Sequence, residues 1–188
     1  VCVAICIPNW LRPGVKMGVG LRASRYPMRA CDFIEAHGVR GPFFNNFASG
    51  GTLLWRFWPQ RDRLPFIDIH QSGDAEIRRA YQAAIADFSA WRSLDGRFQF
   101  QAVLLDRTPG FVDNVSSDTT FAALFMDDAA VLLVRRGGPH QALIDSFEYR
   151  MLPPGESARH QMRALCVRDT VLRLQVMAEL ERARSASP

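Results

Sequence analysis

The stretch Phe44-Asn45-Asn46-Phe47-Ala48-Ser49-Gly50-Gly51-Thr52-Leu53-Leu54-Trp55-Arg56-Phe57-Trp58-Pro59, followed by Phe66-Ile67-Asp68-Ile69-His70, decides how the chain is read, because only here do polar side chains, glycines and aromatics occur together. A short apolar run ending in two asparagines, then Ser-Gly-Gly and an aromatic-rich amphipathic segment, describes a strand delivering polar groups into a turn that opens a helix. In α/β proteins that junction is where binding groups stand. Successive strand side chains alternate, so Asn45 and Asn46 point to opposite sides and one is aimed at the turn. A buried amide needs partners: it binds a ligand hydroxyl or phosphate, or it ties down the Ser49-Gly50-Gly51 backbone. Gly50 and Gly51 let a ligand or another segment come close. They form neither G-x-G-x-x-G nor a P-loop, which needs a lysine.

Trp55 and Trp58 lie three apart and share a helix face, a spacing that reads first as core. Asp68 and His70, two apart on a strand, face one side as a candidate acid/base pair, with Asp106 at the end of the next strand positioned to join them.

Working outward, Pro27 to His37 has a helical apolar face ended by Gly38. Phe43 to Phe47 reads as a strand, Gly50 to Trp58 as a helix stopped by Pro59, and Leu64 to Ile69 as a strand. Asp74 to Trp91 reads as one helix capped by Asp74 or Ser72. Phe100 to Asp106 reads as a buried strand, and Phe121 to Met126 with Ala129 to Arg135 as a hairpin turning at Asp127-Asp128. The predicted fold is α/β: a small mixed, partly parallel sheet, βαβαβ plus an antiparallel hairpin, with packed helices. His140 to Met151 and Glu156 to Arg184 read as a C-terminal helical hairpin, with Ser185 to Pro188 disordered.

Composition narrows the function classes. With 188 residues, 48% of them hydrophobic, the chain can bury one sizeable core. Its charge is +4, almost wholly from scattered arginines, with Lys16 the only lysine. No basic block interleaves with aromatics, so nucleic acid is not the expected partner, whereas anionic lipid headgroups or a lipid-linked phosphate suit such a surface. Cys2, Cys6, Cys31 and Cys166 have no zinc-ligand spacing. No metal site and no cofactor are expected. Val1 to Ile7 is too short to cross a bilayer and has no basic n-region; it reads as a strand or as the last turns of a membrane helix, with Trp10, Arg12 and Lys16 suited to an interfacial anchor.

The order Pro27, Phe33-Ile34, Phe44-Asn45, Phe47, Gly50-Gly51, Leu53, Trp55-Arg56, Pro59, Phe66-Ile67-Asp68, and the strand pair around Asp127-Asp128 ending Val131 to Arg135 resembles the C-terminal soluble domain of bacterial polytopic membrane proteins. Those proteins are similar to C-type (GT-C) glycosyltransferases, sometimes with tetratricopeptide-like helices appended. The resemblance covers Tyr26 to Arg136, and the helices that follow fit the appended part. Thr52 stands where relatives usually carry an aromatic, and Ile69-His70 where Gly-Arg usually follows the aspartate.

The resemblance implies an extracytoplasmic accessory domain at the bacterial inner membrane, packed against the transmembrane part of the same polypeptide. The catalytic carboxylates of such transferases lie in the membrane portion, so no residue of this chain is expected to be catalytic. Asn45, Asn46, Gly50, Gly51, Arg56, Asp68 and His70 are the expected ligand-binding residues, facing an acceptor or a lipid-linked sugar. The expected organisation is a linker or membrane-helix end over 1–20, an α/β domain over 21–137 and a helical appendage over 138–188. Two other functions fit the residues: a module that binds a protein partner through its C-terminal helices, and a small enzyme using Asp68, His70 and Asp106.

Overall fold

Four apolar segments pair into one sheet. The computed structural model describes residues 25–69, 75–108 and 110–186; the expected segment at 1–20, the capping residues Ser72 and Asp74, and His70 lie outside the described residues. The strands are β1 (Phe43–Asn45), β2 (Ala102–Asp106), β3 (Phe121–Met126) and β4 (Ala130–Arg135), in the order β1-β2-β4-β3. β1 and β2 run parallel, with Asn45 opposite Leu104, while β4 is antiparallel to both β2 and β3. The helices are α1 (Met28–Ala36), α2 (Phe47–Phe57), α3 (Ala75–Ala86), α4 (Phe88–Phe98), α5 (Phe111–Ser116), α6 (Gln141–Phe147), α7 (Glu156–Arg168) and α8 (Thr170–Ser185). The fold is α/β with a mixed sheet and a C-terminal helical hairpin formed by α7 and α8.

The strands are apolar runs because both sheet faces are covered. Phe44, Val103, Leu105 and Val131 pack with Trp91 and Tyr81 under α3, α4 and α5. Phe43, Leu104, Leu132 and Val134 pack with Cys31, Ile34, Leu53 and Ile144 under α1, α2 and α6. Phe44 meets Trp91 and Phe100 edge-on, with ring centroids 4.9 and 5.2 Å away. Full burial of a side chain of this size contributes about 2 kcal/mol.

Several elements differ from the sequence-based expectation. Leu64 to Ile69 is not a strand. The Asn45 side chain replaces a ladder there: its Oδ1 accepts from Phe66 N at 2.8 Å, and its Nδ2 donates to Ile67 O at 2.8 Å. Of the three strands expected in βαβαβ, two therefore form the parallel pair. The run from Asp74 to Trp91 divides at Asp87, and the run from Glu156 to Arg184 divides at Asp169. Both aspartates take extended backbone, and each carboxylate accepts an amide three residues on, Ala90 N and Leu172 N, at 2.9 Å. A satisfied helix N-terminus outweighs one more residue of continuous helix.

Helix α5 had no counterpart in the sequence reading. The hairpin turn spans three residues, because Asp127 Oδ1 accepts from both Ala129 N and Ala130 N, at 2.8 and 2.7 Å. At the outer edge, β3 shifts register between Ala123 and Phe125, and Tyr149 N donates to Ala123 O at 2.8 Å. Ser185 and Ala186, expected to be disordered, are held in place: Arg29 donates to Ala186 O at 2.8 Å.

Candidate functional site

The chain leaves β1 into α2 on one sheet face and leaves β2 into α5 on the other. This divergence opens a crevice at the carboxyl ends of β1 and β2, the place where open α/β sheets bind ligands. Asn46 stands at its centre, 6% exposed. Its Oδ1 accepts from Asp106 N at 2.9 Å and from Ser49 Oγ at 2.8 Å, and its Nδ2 donates to the Asp106 carboxylate. The other Asp106 oxygen accepts Thr108 N at 3.0 Å. Tyr81 reaches in from α3 and accepts Phe47 N at 2.8 Å, so an amide at the start of α2 is already taken. Burial pushes the Tyr81 phenol up from its ordinary value, and the Asp106 charge adds to the shift. The crevice, about 570 Å3, is completed by Phe47, Ile85, Phe111 and Asn114.

Of the expected site residues, Asn46 lines this crevice with Asp106. Asn45 faces the other way, fully buried on the Phe66–Ile67 backbone. Gly50 is a packing glycine: a Cβ there would lie 2.3 Å from Ile67 O and 2.8 Å from Asp68 Cα. Gly51 meets nothing within 4 Å. Both sit inside α2, and what comes close to Gly50 is the chain's own backbone. Arg56 turns to α1, with ion pairs to Asp32 at 2.6 Å and Glu35 at 2.7 Å. Asp68 is buried against Gly50 and does not line the crevice beside Asp106, and His70 lies outside the described residues.

The sequence reading missed Tyr81, Thr108 and Asn114. Tyr81 carried a signal, since its polar tip sits in an otherwise apolar helical stripe.

Trp55 and Trp58 are not core: they are 65% and 68% exposed, because Ser49, Gly50, Leu53 and Phe57 form the inward face of α2. Cys31 is fully buried, and burial pushes its thiol up to about 12, which leaves it protonated and unreactive at neutral pH. Among the described residues no three of His, Cys, Asp and Glu converge as metal ligands, and no helix is long and apolar enough to cross a membrane.

A second feature lies on α7 and α8, neither of which contains a fully buried residue. Val171, Leu174, Met177 and Leu180, spaced by three along α8, are 67%, 64%, 53% and 45% exposed, with Leu165 and Val167 of α7 nearby in sequence and equally open. The pair is nevertheless fastened to the Tyr149–Leu152 loop and to α5. Glu179 accepts amides from Arg150, Met151 and Leu152 at 2.7 to 3.0 Å, the Arg182 guanidinium stacks 3.8 Å from the centre of the Tyr149 ring, and Asp113 accepts Ser157 N at 3.1 Å.

Compared with protein-family models, with curated proteins and with solved structures, the chain matches none of them.

Proposed function

We propose that this chain is a non-catalytic docking domain whose C-terminal helix pair binds another protein segment. One observation carries the reading. α7 and α8 bury no residue completely and expose six large apolar side chains, yet three sets of polar contacts tie them to the Tyr149–Leu152 loop and to α5. The inward side of α8 already packs on the core through Val176 and Ala183, so six further large apolar side chains left open on the pair form a surface suited to being covered. The carboxyl-edge crevice supports a non-catalytic role, since Asn46 and Asp106 spend their hydrogen bonds on each other and on nearby backbone.

A photo-crosslinking amino acid at Leu174 in the intact protein, expressed in its own host, tests the proposal. One defined crosslinked segment, identified by peptide mass and missing when the probe sits at exposed Gln175, is expected. Equal, diffuse crosslinking from both positions would overturn it.

A second reading draws on the resemblance: the docking domain is the extracytoplasmic part of a membrane-embedded glycosyltransferase-like protein, helping to recognise an acceptor or a lipid-linked sugar. The outward Trp55 and Trp58 favour it, because tryptophans with one apolar and one wet side concentrate at membrane interfaces. Replacing both with serine is expected to weaken association of the intact protein's soluble part with anionic vesicles. Unchanged association would argue against it.

A further inference from the structure

We infer that the partner of the α7–α8 surface is an amphipathic helix carrying acidic residues beside its apolar stripe, seated in the groove between the two helices. This inference rests on the docking reading above and specifies its occupant. The groove holds about 250 Å3, and its apolar lining includes Met162, Val176 and Met177. Its polar lining is Arg159, Arg163 and Arg173, with no carboxylate among the lining residues.

Two acids of these helices are spent elsewhere, and Glu156, beside Arg159, His160 and Arg163, reaches ion-pair distance only of His160 among the described residues, at 3.8 Å. Asp169 caps α8 through Leu172 N, and Glu179 takes three loop amides. None of the three groove arginines forms an ion pair with another described residue. Three guanidinium groups beside an apolar trough repel one another and gain when carboxylates arrive in their place of water, since each presents a planar fork that fits a carboxylate.

The apolar spacing selects a helix as the occupant. Arg173, Val176, Met177 and Leu180, at i, i+3, i+4 and i+7, share one side of α8 over about 10 Å, two turns, and line the groove with Met162 and Cys166, four apart on α7. A strand would set its side chains at a period of two and meet only every other residue of such a stripe, whereas a helix with apolar residues at i, i+3 and i+7 follows it. Acidic residues flanking that apolar stripe then meet Arg159 and Arg163 on one wall and Arg173 on the other. The resulting specificity is a charge pattern laid over non-directional apolar contact.

The test uses the full 188-residue chain and three labelled model helices of about 18 residues. All three have the same leucine face, with flanks of glutamate, glutamine or lysine, and binding is read by fluorescence anisotropy at low and physiological salt. The glutamate helix is expected to bind roughly tenfold more tightly than the glutamine helix, with the lysine helix weaker still and the preference shrinking as salt rises. Arg163→Glu with Arg173→Glu should invert the order. Met177→Ser, a groove-lining and half-exposed position, should weaken all three without lowering the melting temperature.

Equal binding of the three helices would overturn the acidic partner and leave the docking reading intact. Binding of none would overturn the helix as occupant, and the Leu174 crosslink would judge docking by itself. Two further outcomes would also overturn the inference: tighter association with phosphatidylglycerol vesicles than with any helix, which makes the occupant a membrane, and self-association abolished by Met177→Ser, which makes it a second copy of the chain.

Discussion

Asn46 and Asp106 lock the carboxyl ends of β1 and β2 together: Asn46 Oδ1 accepts the Asp106 amide at 2.9 Å, while the Asn46 side-chain nitrogen donates to the Asp106 carboxylate. Asn46 is buried, so removing its side chain leaves the Asp106 amide and the Ser49 hydroxyl unpartnered. Asn46→Ala is expected to cost about 2 kcal/mol in urea unfolding, with the slope unchanged. A loss under about 0.5 kcal/mol would show that water replaces the amide and that the crevice is open enough for a ligand to do the same.

Gly50 and Gly51 are adjacent in one helix and are expected to respond in opposite ways. Gly50→Ala drives a Cβ into the Ile67–Asp68 backbone and should destabilise by about 3 kcal/mol. Gly51→Ala enters open space and should stabilise by about 0.5 to 1 kcal/mol through the lower entropy of the unfolded chain. Thermal melts of the two variants check both. Equal effects would contradict the packing role of Gly50.

The division between legible and hidden structure follows how local each signal is. Strand and helix types came through for β1, β2 and the hairpin because their apolar patterns are set by covered sheet faces. The breaks at Asp87 and Asp169 are also local, since each aspartate caps the amide three residues on, but an aspartate within a continuous apolar period gives way to the period when only the pattern is read. The apolar content of Leu64 to Ile69 is strand-like, and pattern alone predicts a strand there. The pairing of Phe66 and Ile67 with the Asn45 side chain in place of a backbone ladder is a tertiary fact with no local signature.

The same holds for the candidate site. Asn46 was legible as a polar group at a strand end, and Asp106 as the matching end of the next strand. That Gly50 faces Ile67, that Arg56 faces Asp32 and Glu35, and that Trp55 and Trp58 face outward depend on which side of α2 meets the sheet. A periodic stripe shows that a helix has an apolar face without saying what covers it. The stripe from Val171 to Leu180 has a core-like sequence and is exposed.

Acid should unfold the protein through named carboxylates. Asp118 is buried, which works against its ionisation. Hydrogen bonds from Thr120, then Trp91 and Arg92, outweigh that and hold its carboxyl below the ordinary value. The hydrogen bond from Arg136 does the same for Glu148. Folded values below unfolded ones mean that this stabilisation is full above the unfolded carboxyl value of about 4 and is lost as pH falls through the folded values.

Asp127 acts in the opposite sense, because burial raises its carboxyl, so its protonation on acidification offsets part of the loss. Stability measured from pH 7 downward should fall below about pH 4, and Asp118→Asn should flatten that fall. An unchanged slope in the variant would remove Asp118 from the acid transition.

The apolar stripe on α8 is expected to be dispensable for folding. Leu174→Ser and Met177→Ser change side chains more than half exposed, and each should alter stability by no more than about 0.5 kcal/mol. Val103→Ala, within β2 and fully buried, should cost about 2 to 3 kcal/mol by comparison. Chemical denaturation of the three variants checks this. A large loss from either serine substitution would mean that the stripe is covered within the chain itself.

Amide hydrogen exchange along α8, compared between the isolated chain and the intact protein in its native assembly, tests the docking function most directly. If α8 docks a partner segment, the amides from Leu174 to Leu180 exchange at least tenfold more slowly in the assembly while those of β2 are unchanged. Equal exchange in the two states would contradict a docking role for the C-terminal helices.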